Sequence, residues 1–259
     1  MGINIKALYL KKMKIKKKKF NKVILIPARS GSKRLKDKNI LKINNKNLIY
    51  YTIKHALSLK GIDHVIVSTD SIKYAQIAKK CGAKIFYLRP KNLSKDTTTD
   101  FEVFKYNELW LNLNLKYFTD IYIHLRPTFP IRRLEDTSKM IKLMEKNFKK
   151  TDSVRSLIKS KIKIEKFYYF DHDKLLKNNY AFEKDESNLE IKGNQSDQSL
   201  KTWYKHNGNV DIFKAKILKR NTVSGKKILS YVQNDNFDYD INTITDLKSV
   251  SKILKFHKS

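Results

Sequence analysis

Cysteine is nearly absent: Cys81 is the single thiol in 259 residues. No intrachain disulfide can form and no CxxC zinc site exists, a usage that fits a reducing cytosol and a cytoplasmic location. Glycine is sparse too, at seven residues. The chain has no GxGxxG dinucleotide fingerprint. It has no Walker A loop either, because Gly31-Ser32-Lys33 carries those residue types in another order and Ile26 stands where the first glycine would be. Long apolar runs are also missing. Segment 1–20 is dominated by lysine, and its one apolar island, Ala7-Leu8-Tyr9-Leu10, falls short of the roughly 7–15 residues of a signal-peptide core. Lys6 stands where a myristoylation motif wants Ser or Thr. No later stretch is long and uncharged enough to span a membrane, so no membrane partner is expected.

Acidic residues number 25 against 56 basic ones, a formal net charge of +31. Such an excess points in general toward nucleic acid. Here the lysines are spread along the whole chain in the company of abundant Asn and Ile, so nucleic acid is the less favoured partner. Arginine is the scarce cation, with eight residues: Arg29, Arg34, Arg89, Arg126, Arg132, Arg133, Arg155 and Arg220. In a chain that uses lysine by default, an arginine marks a place for a planar, bidentate fork. Six of the eight fall in three segments at the ends of expected strands.

Apolar runs alternate with helical patterns, which predicts βαβ units and a mainly parallel sheet in an α/β fold. Strands are expected at 23–26, 64–68, 84–87, 121–125 and 153–157, and helices at 48–59, 72–80, 101–111 and 137–148. In the first helix Leu48, Tyr51, Thr52, His55 and Leu59 would share one face. Functional residues of such a sheet belong at the carboxyl ends of its strands. The pattern changes after residue 158: 161–204 is aromatic and polar and reads as an insertion, before regular structure resumes near 210–213 and 227–232 and a closing helix at 246–256. Residues 1–21 are expected to be a disordered basic extension and 22–259 the folded domain.

The densest chemistry lies in Val23-Ile24-Leu25-Ile26-Pro27-Ala28-Arg29-Ser30-Gly31-Ser32-Lys33, continuing to Lys38-Asn39-Ile40. A buried strand breaks into a loop of small residues and cations. Ser30, Gly31 and Ser32 leave room for backbone N–H groups to face an anion, and Arg29, Lys33 and Lys38 supply full charges. Leu88-Arg89-Pro90 and Leu125-Arg126-Pro127 place two further forks at successive strand ends, which suggests a multiply charged anion. Asp70 either caps the following helix or touches a ligand. His124, inside an apolar strand, reads as a satisfied core residue. Asp238, Asp240 and Asn242 alternate on one side of an extended segment, either as hard oxygen ligands for Mg²⁺ or as a solvated edge.

This ordered set resembles the acylneuraminate cytidylyltransferase family, the CMP-sugar synthetases for sialic acid and related acids. The family's I-P-A-R-x-G-S-K and K-N-I segments match Ile26 to Lys33 and Lys38 to Ile40. Val67-Ser68-Thr69-Asp70, Leu88-Arg89-Pro90 with Leu93 and Asp96, Leu125 to Arg132, Tyr204 to Gly208 and Asp240-Ile241-Asn242-Thr243 are similar to its later motifs. The resemblance implies a Rossmann-like, GT-A-like three-layer sandwich with an inserted dimerisation extension at 161–205, and as partners CTP, a 2-keto sugar acid and a second copy of the chain in a homodimer. It implies nucleotide contacts from Ala28, Arg29, Ser30, Gly31, Ser32, Lys33, Lys38, Asn39, Arg89 and Arg126, with Arg29, Lys38 and Asp240 catalytic. It further implies sugar contacts from Lys166, Gln198 and Asn207, and Mg²⁺ at Asp240 and Asn242. The expected reaction gives CMP-sugar and pyrophosphate for surface glycans such as lipopolysaccharide or capsule. A Kdo-type acid, or a non-catalytic nucleic-acid-binding role on the same scaffold, is the alternative. The chain departs from the family pattern at Asn242 (usually Asp), Arg126 (commonly Gln), Asp197 (Arg), and Arg34 and Lys36 (Gly and Pro).

Overall fold

The computed structural model describes residues 20–163, 168–170, 176–178, 196, 198, 201–234 and 238–256. Its centre is a six-stranded sheet. The strands are β1 (Lys22–Pro27), β4 (His64–Ser68), β5 (Ile121–Leu125), β6 (Ser153–Lys159), β9 (Tyr204–Lys214) and β10 (Ile228–Val232), in the order β10-β6-β9-β5-β1-β4. β1 runs parallel to β4 and β5, and β10 parallel to β6; only β9 is antiparallel to its neighbours β5 and β6. Two small hairpins pair β2 (Lys42–Ile43) with β3 (Lys46–Asn47), and β7 (Tyr168–Phe170) with β8 (Leu176–Asn178).

Alternation along β1 sends its side chains into two cores, as the period of two requires. Ile24 and Ile26 face α1 (Leu48–Ser58), α2 (Ile72–Cys81) and α4 (Leu134–Lys146). Val23 and Leu25 face α3 (Asp100–Leu115) and the 3₁₀ helix Ala215–Arg220. Both faces are covered, so the strands read as continuous apolar runs. A third cluster around Ile43, Leu48, Ile241 and Val250 fastens the β2–β3 hairpin to α5 (Ile244–Phe256). This is the expected three-layer α/β sandwich. The fold already includes Phe20, whose ring lies 4.5 Å from that of Phe148, and Asn21, whose N–H donates to Asp120.

Two local expectations differ from the structure. Segment 84–87 is not a strand: it follows β4 through Lys84 N–H to Val65 and Val67 N–H to Lys84, but forms only one isolated bridge. Phe86 stacks on Trp110 and the Tyr87 hydroxyl donates to Asn107, so aromatic packing onto α3 draws the segment out of the ladder. In α1 the inner face is Leu48, Ile49, Thr52, Ile53 and Ala56, with Tyr51 and His55 only half-buried. Ile49 and Ile53 win that face because the sheet above them is wholly aliphatic.

Candidate active site

β1, β4 and β5 end side by side, and the loops that follow them surround a cleft of about 320 Å³. Ala28 N–H still pairs with Ser68 O, after which the chain leaves the sheet at Arg29. Asp70 holds the loop that follows. Its carboxylate accepts from Ser30 N–H at 2.9 Å and from the Ser30 hydroxyl at 2.7 Å. Ser30 is thereby committed to the protein, and Asp70 neither caps α2 nor faces the cleft; Ser71 Oγ accepts from Tyr74 N–H and is the cap. Asn39, buried, fixes the loop from below by donating to Arg29 O. Gly31 does not take a positive φ, and a Cβ added there would meet Arg29 Nη1 at an ordinary contact distance of 3.5 Å, so nothing steric demands glycine there.

The cations converge as the sequence suggested. Arg29, Lys38, Arg89 and Arg126 all line the cleft, together with Ser32 and Asn39, and Lys33 stands exposed at its rim. Arg29 Nη1 donates to Gly31 O at 2.7 Å, while Nη2 meets Asp96 Oδ1 at 2.5 Å; Lys33 Nζ meets the other oxygen of Asp96 at 2.6 Å. Arg89 is buried at 5 % exposure, with Nη2 on Ser68 O and Nε without a hydrogen-bond partner, and burial lowers its pKa against the pull of Asp70. Lys38 Nζ donates to Asn242 Oδ1 at 3.1 Å. Burial lowers the Lys38 pKa, Asp240 opposes this, and Arg34 and Arg29 add to the lowering.

Opposite the loop lie Asp240 and Asn242, joined by a 2.6 Å bond from the Asn242 amide to Asp240 Oδ2. Asp246 accepts from the N–H groups of Asn242 and Thr243 and so ties this segment to the start of α5. Asp238 is not part of the array, because its carboxylate turns to Lys205 Nζ at 2.7 Å. Among the described residues no three His, Cys, Asp or Glu side chains gather as a metal cage. One carboxylate and one amide oxygen on a phosphate-sized cleft are the donor set expected for Mg²⁺, which keeps several waters and shares ligands with substrate phosphates. The residues therefore fit that ion.

Behind Arg126 is a charge network that sequence reading missed. Asp211 on β9 is fully buried and stands in register between His124 on β5 and Arg155 on β6. Its Oδ2 lies 2.8 Å from Arg126 Nη1 and 2.7 Å from Arg155 Nη1, and its Oδ1 is 2.7 Å from His206 Nε2. Burial alone would raise the Asp211 pKa; the His206 hydrogen bond and the Arg126 and Arg155 charges outweigh it and hold the group well below the usual carboxylate range. Arg126 Nη2 reaches Asp100 Oδ2 at 3.1 Å, and Asp100 lines the cleft. Gly208, at φ +70°, lets Arg126 lie against the backbone, since an added Cβ would sit 3.1 Å from Nη1. His124 also lines the cleft and is not a satisfied core residue: its Nδ1 has no hydrogen-bond partner, at 3.7 Å from Asp100 and 4.0 Å from Asp211. Burial, helped by the Arg126 charge, lowers its pKa to about 4.

The remaining residues singled out from sequence fall elsewhere. Arg132 does not line the cleft but staples the turn after β5, donating to the carbonyls of Arg126, Phe129 and Asn209 and to Thr52 Oγ1. Asn207 is also away from the cleft: it accepts from the Ser156 hydroxyl and donates to Gln233 Oε1 within the sheet. Gln198 is exposed, and Lys166 and Asp197 lie outside the described residues. Asp100 and Asp211 escaped notice because the arginines they meet are distant in sequence, although a charged residue inside Val210-Asp211-Ile212-Phe213 is itself a sign of a buried pair.

A twisted, mainly parallel sheet with a cationic, acid-backed cleft at the carboxyl ends of its strands defines a nucleotide-binding α/β protein built for phosphate groups. The cytidylyltransferase family model matches residues 23–247, and the chain belongs to that family of nucleotidyltransferase enzymes. It is 29 % identical over 232 residues to post-translational flagellin modification protein B of Campylobacter coli, covering 89 % of this chain and 93 % of that one. It is 30 % identical over 230 residues to the CMP-N,N'-diacetyllegionaminic acid synthase of Campylobacter jejuni, covering 88 % and 93 %. A solved CMP:2-keto-3-deoxy-manno-octonic acid synthetase complexed with CTP shares the fold at TM-score 0.63 and 17 % identity, over 92 % of this chain and 99 % of that one. The motif resemblance to the CMP-sugar synthetases is thus borne out. No helix among the described residues is long and apolar enough to cross a membrane.

Proposed function

We propose that this protein transfers the cytidylyl group of CTP to a nonulosonic-type 2-keto sugar acid, giving a CMP-sugar and pyrophosphate for surface glycan synthesis. The observation that carries this reading is the convergence of Arg29, Lys38, Arg89 and Arg126 on one cleft that also holds Asp240 and Asn242. The name of the Campylobacter jejuni relative supports the acid class. The anomeric hydroxyl oxygen bonds to the α-phosphorus, the bond from that phosphorus to the β-bridging oxygen breaks, and pyrophosphate departs with the electron pair. The hydroxyl proton passes to a carboxylate of the cleft, Asp100 or Asp240.

Arg29 and Lys33 would hold the outer phosphates and stabilise the charge that grows on pyrophosphate, while Lys38 meets the α-phosphate end beside Asp240. Asp240 and Asn242 would hold Mg²⁺, whose chemistry is to neutralise phosphate charge during displacement. Arg126, anchored by Asp211, is oriented without freedom to swing, which suits positioning of a charged substrate. A cytoplasmic homodimer, with 161–205 reaching the partner, completes the proposal.

Thermal melting at moderate salt tests it. CTP with Mg²⁺ raises the melting temperature, because a ligand bound only by the native state stabilises that state. A shift produced by oligonucleotides and not by CTP would transfer the reading to nucleic acid, with its steep salt dependence.

A further inference from the structure

Asp96 occupies the seat that the loop cations define. One carboxylate spans Arg29 Nη2 and Lys33 Nζ, at 2.5 and 2.6 Å. It comes from outside the loop, from the turn between the 3₁₀ helix Lys91–Leu93 and α3. Its side chain stays 37 % exposed and that of Lys33 82 %, so these are rim contacts open to exchange. Asp70, by contrast, is spent on the N–H and hydroxyl of Ser30 and holds the loop in shape without it. Four residues beyond Asp96, Asp100 covers Arg126 Nη2 in the same manner. A single short segment therefore sets carboxylates against three cations of the cleft. A carboxylate that meets an arginine fork and a lysine ammonium presents the same chemistry as two oxygens of a phosphate.

We propose that Asp96 is a resident, exchangeable anion of the phosphate seat, one that helps expel pyrophosphate. This inference rests on the cytidylyl-transfer reading. Any anion that enters must displace Asp96, and the cost of doing so is the same for each. The compensation differs. CTP brings three phosphates joined to a nucleoside that makes contacts of its own, whereas pyrophosphate after cleavage has lost that connection. Asp96, tethered a few ångströms away, competes at the high effective concentration of an intramolecular group. Asp96 is a release residue and has no part in bond making.

Calorimetric titration with inorganic pyrophosphate tests this on the full chain, comparing wild type, Asp96→Asn, Asp96→Ala and Arg29→Ala, each first shown by melting to be folded. Both Asp96 variants are expected to bind pyrophosphate about tenfold more tightly, the scale of releasing two partly exposed ion pairs. In turnover they show stronger product inhibition by pyrophosphate, with kcat lowered and the KM for CTP not raised. Unchanged or weaker pyrophosphate binding in both variants, with wild-type binding lost in Arg29→Ala, overturns the inference and leaves the seat and the cytidylyl reading standing. Pyrophosphate binding that none of the four proteins shows removes the seat itself, and both readings fall together.

Discussion

Arg126 Nη1 lies 2.8 Å from Asp211 Oδ2, a pair formed between a half-buried arginine at the end of one strand and a fully buried aspartate on the next. The aspartate also meets Arg155 and His206, so a single carboxylate orders the back wall of the cleft. Removing it leaves cations facing one another in a poorly solvated place. Asp211→Asn is expected to cost about 3 kcal/mol of stability, the range for one partner lost from a buried pair. For a chain of this length that is a fall of roughly 6–12 °C in melting temperature. Asp211→Asn melting within 2 °C of wild type, by the same order-of-magnitude scale, would remove the network from the account.

His124 gives the fold an acid-side weakness with a definite sign. Burial and the nearby Arg126 charge lower its pKa to about 4 in the native state, against an ordinary value of 6.5. Between those values the unfolded chain takes up a proton that the native state refuses, so stability is full above 6.5 and falls as pH drops toward 4. The loss approaches about 1.4 kcal/mol per pH unit within that window. His124→Gln should flatten this part of the profile. Parallel stability curves for the two proteins from urea unfolding at pH 4.5 to 7 would contradict the assignment, taking the window from the same shift.

Asn242 offers a gain-of-function test. The neutral amide accepts from Lys38 and donates to Asp240, so Asp240 alone carries negative charge in that pair. Asn242→Asp adds a second hard, charged ligand. The half-saturating Mg²⁺ concentration for pyrophosphate release should fall several-fold, and Asp240→Asn should raise it or abolish turnover. An Asn242→Asp enzyme with unchanged Mg²⁺ dependence would place the ion elsewhere.

Much of this site was legible because its parts are local in sequence. The β1 run and the Arg29 to Lys38 loop are contiguous, and the Arg89 and Arg126 forks follow their strands at once, so the parallel sheet brings them together. The role of Asp70 was not legible, since its partner Ser30 is 40 residues away. Asp211 depended on the antiparallel insertion of β9 between β5 and β6, an arrangement that no local pattern encodes. Segment 84–87 misled because its alternation is that of a strand, while Phe86 and Tyr87 pack onto α3. Asn207 stands in a motif of the family, yet its amide is held inside the sheet by Ser156 and Gln233.

The central claim is transfer of a cytidylyl group, and pyrophosphate release across a panel of sugar acids measures it most directly. With CTP and Mg²⁺ present, wild type should release pyrophosphate only when a nonulosonic or related 2-keto acid is added. Arg29→Ala should turn over about 10²-fold more slowly, as when one donor to a developing charge is removed. Folded, CTP-binding protein that releases no pyrophosphate with any acid of the panel, Kdo-type acids included, would contradict the account.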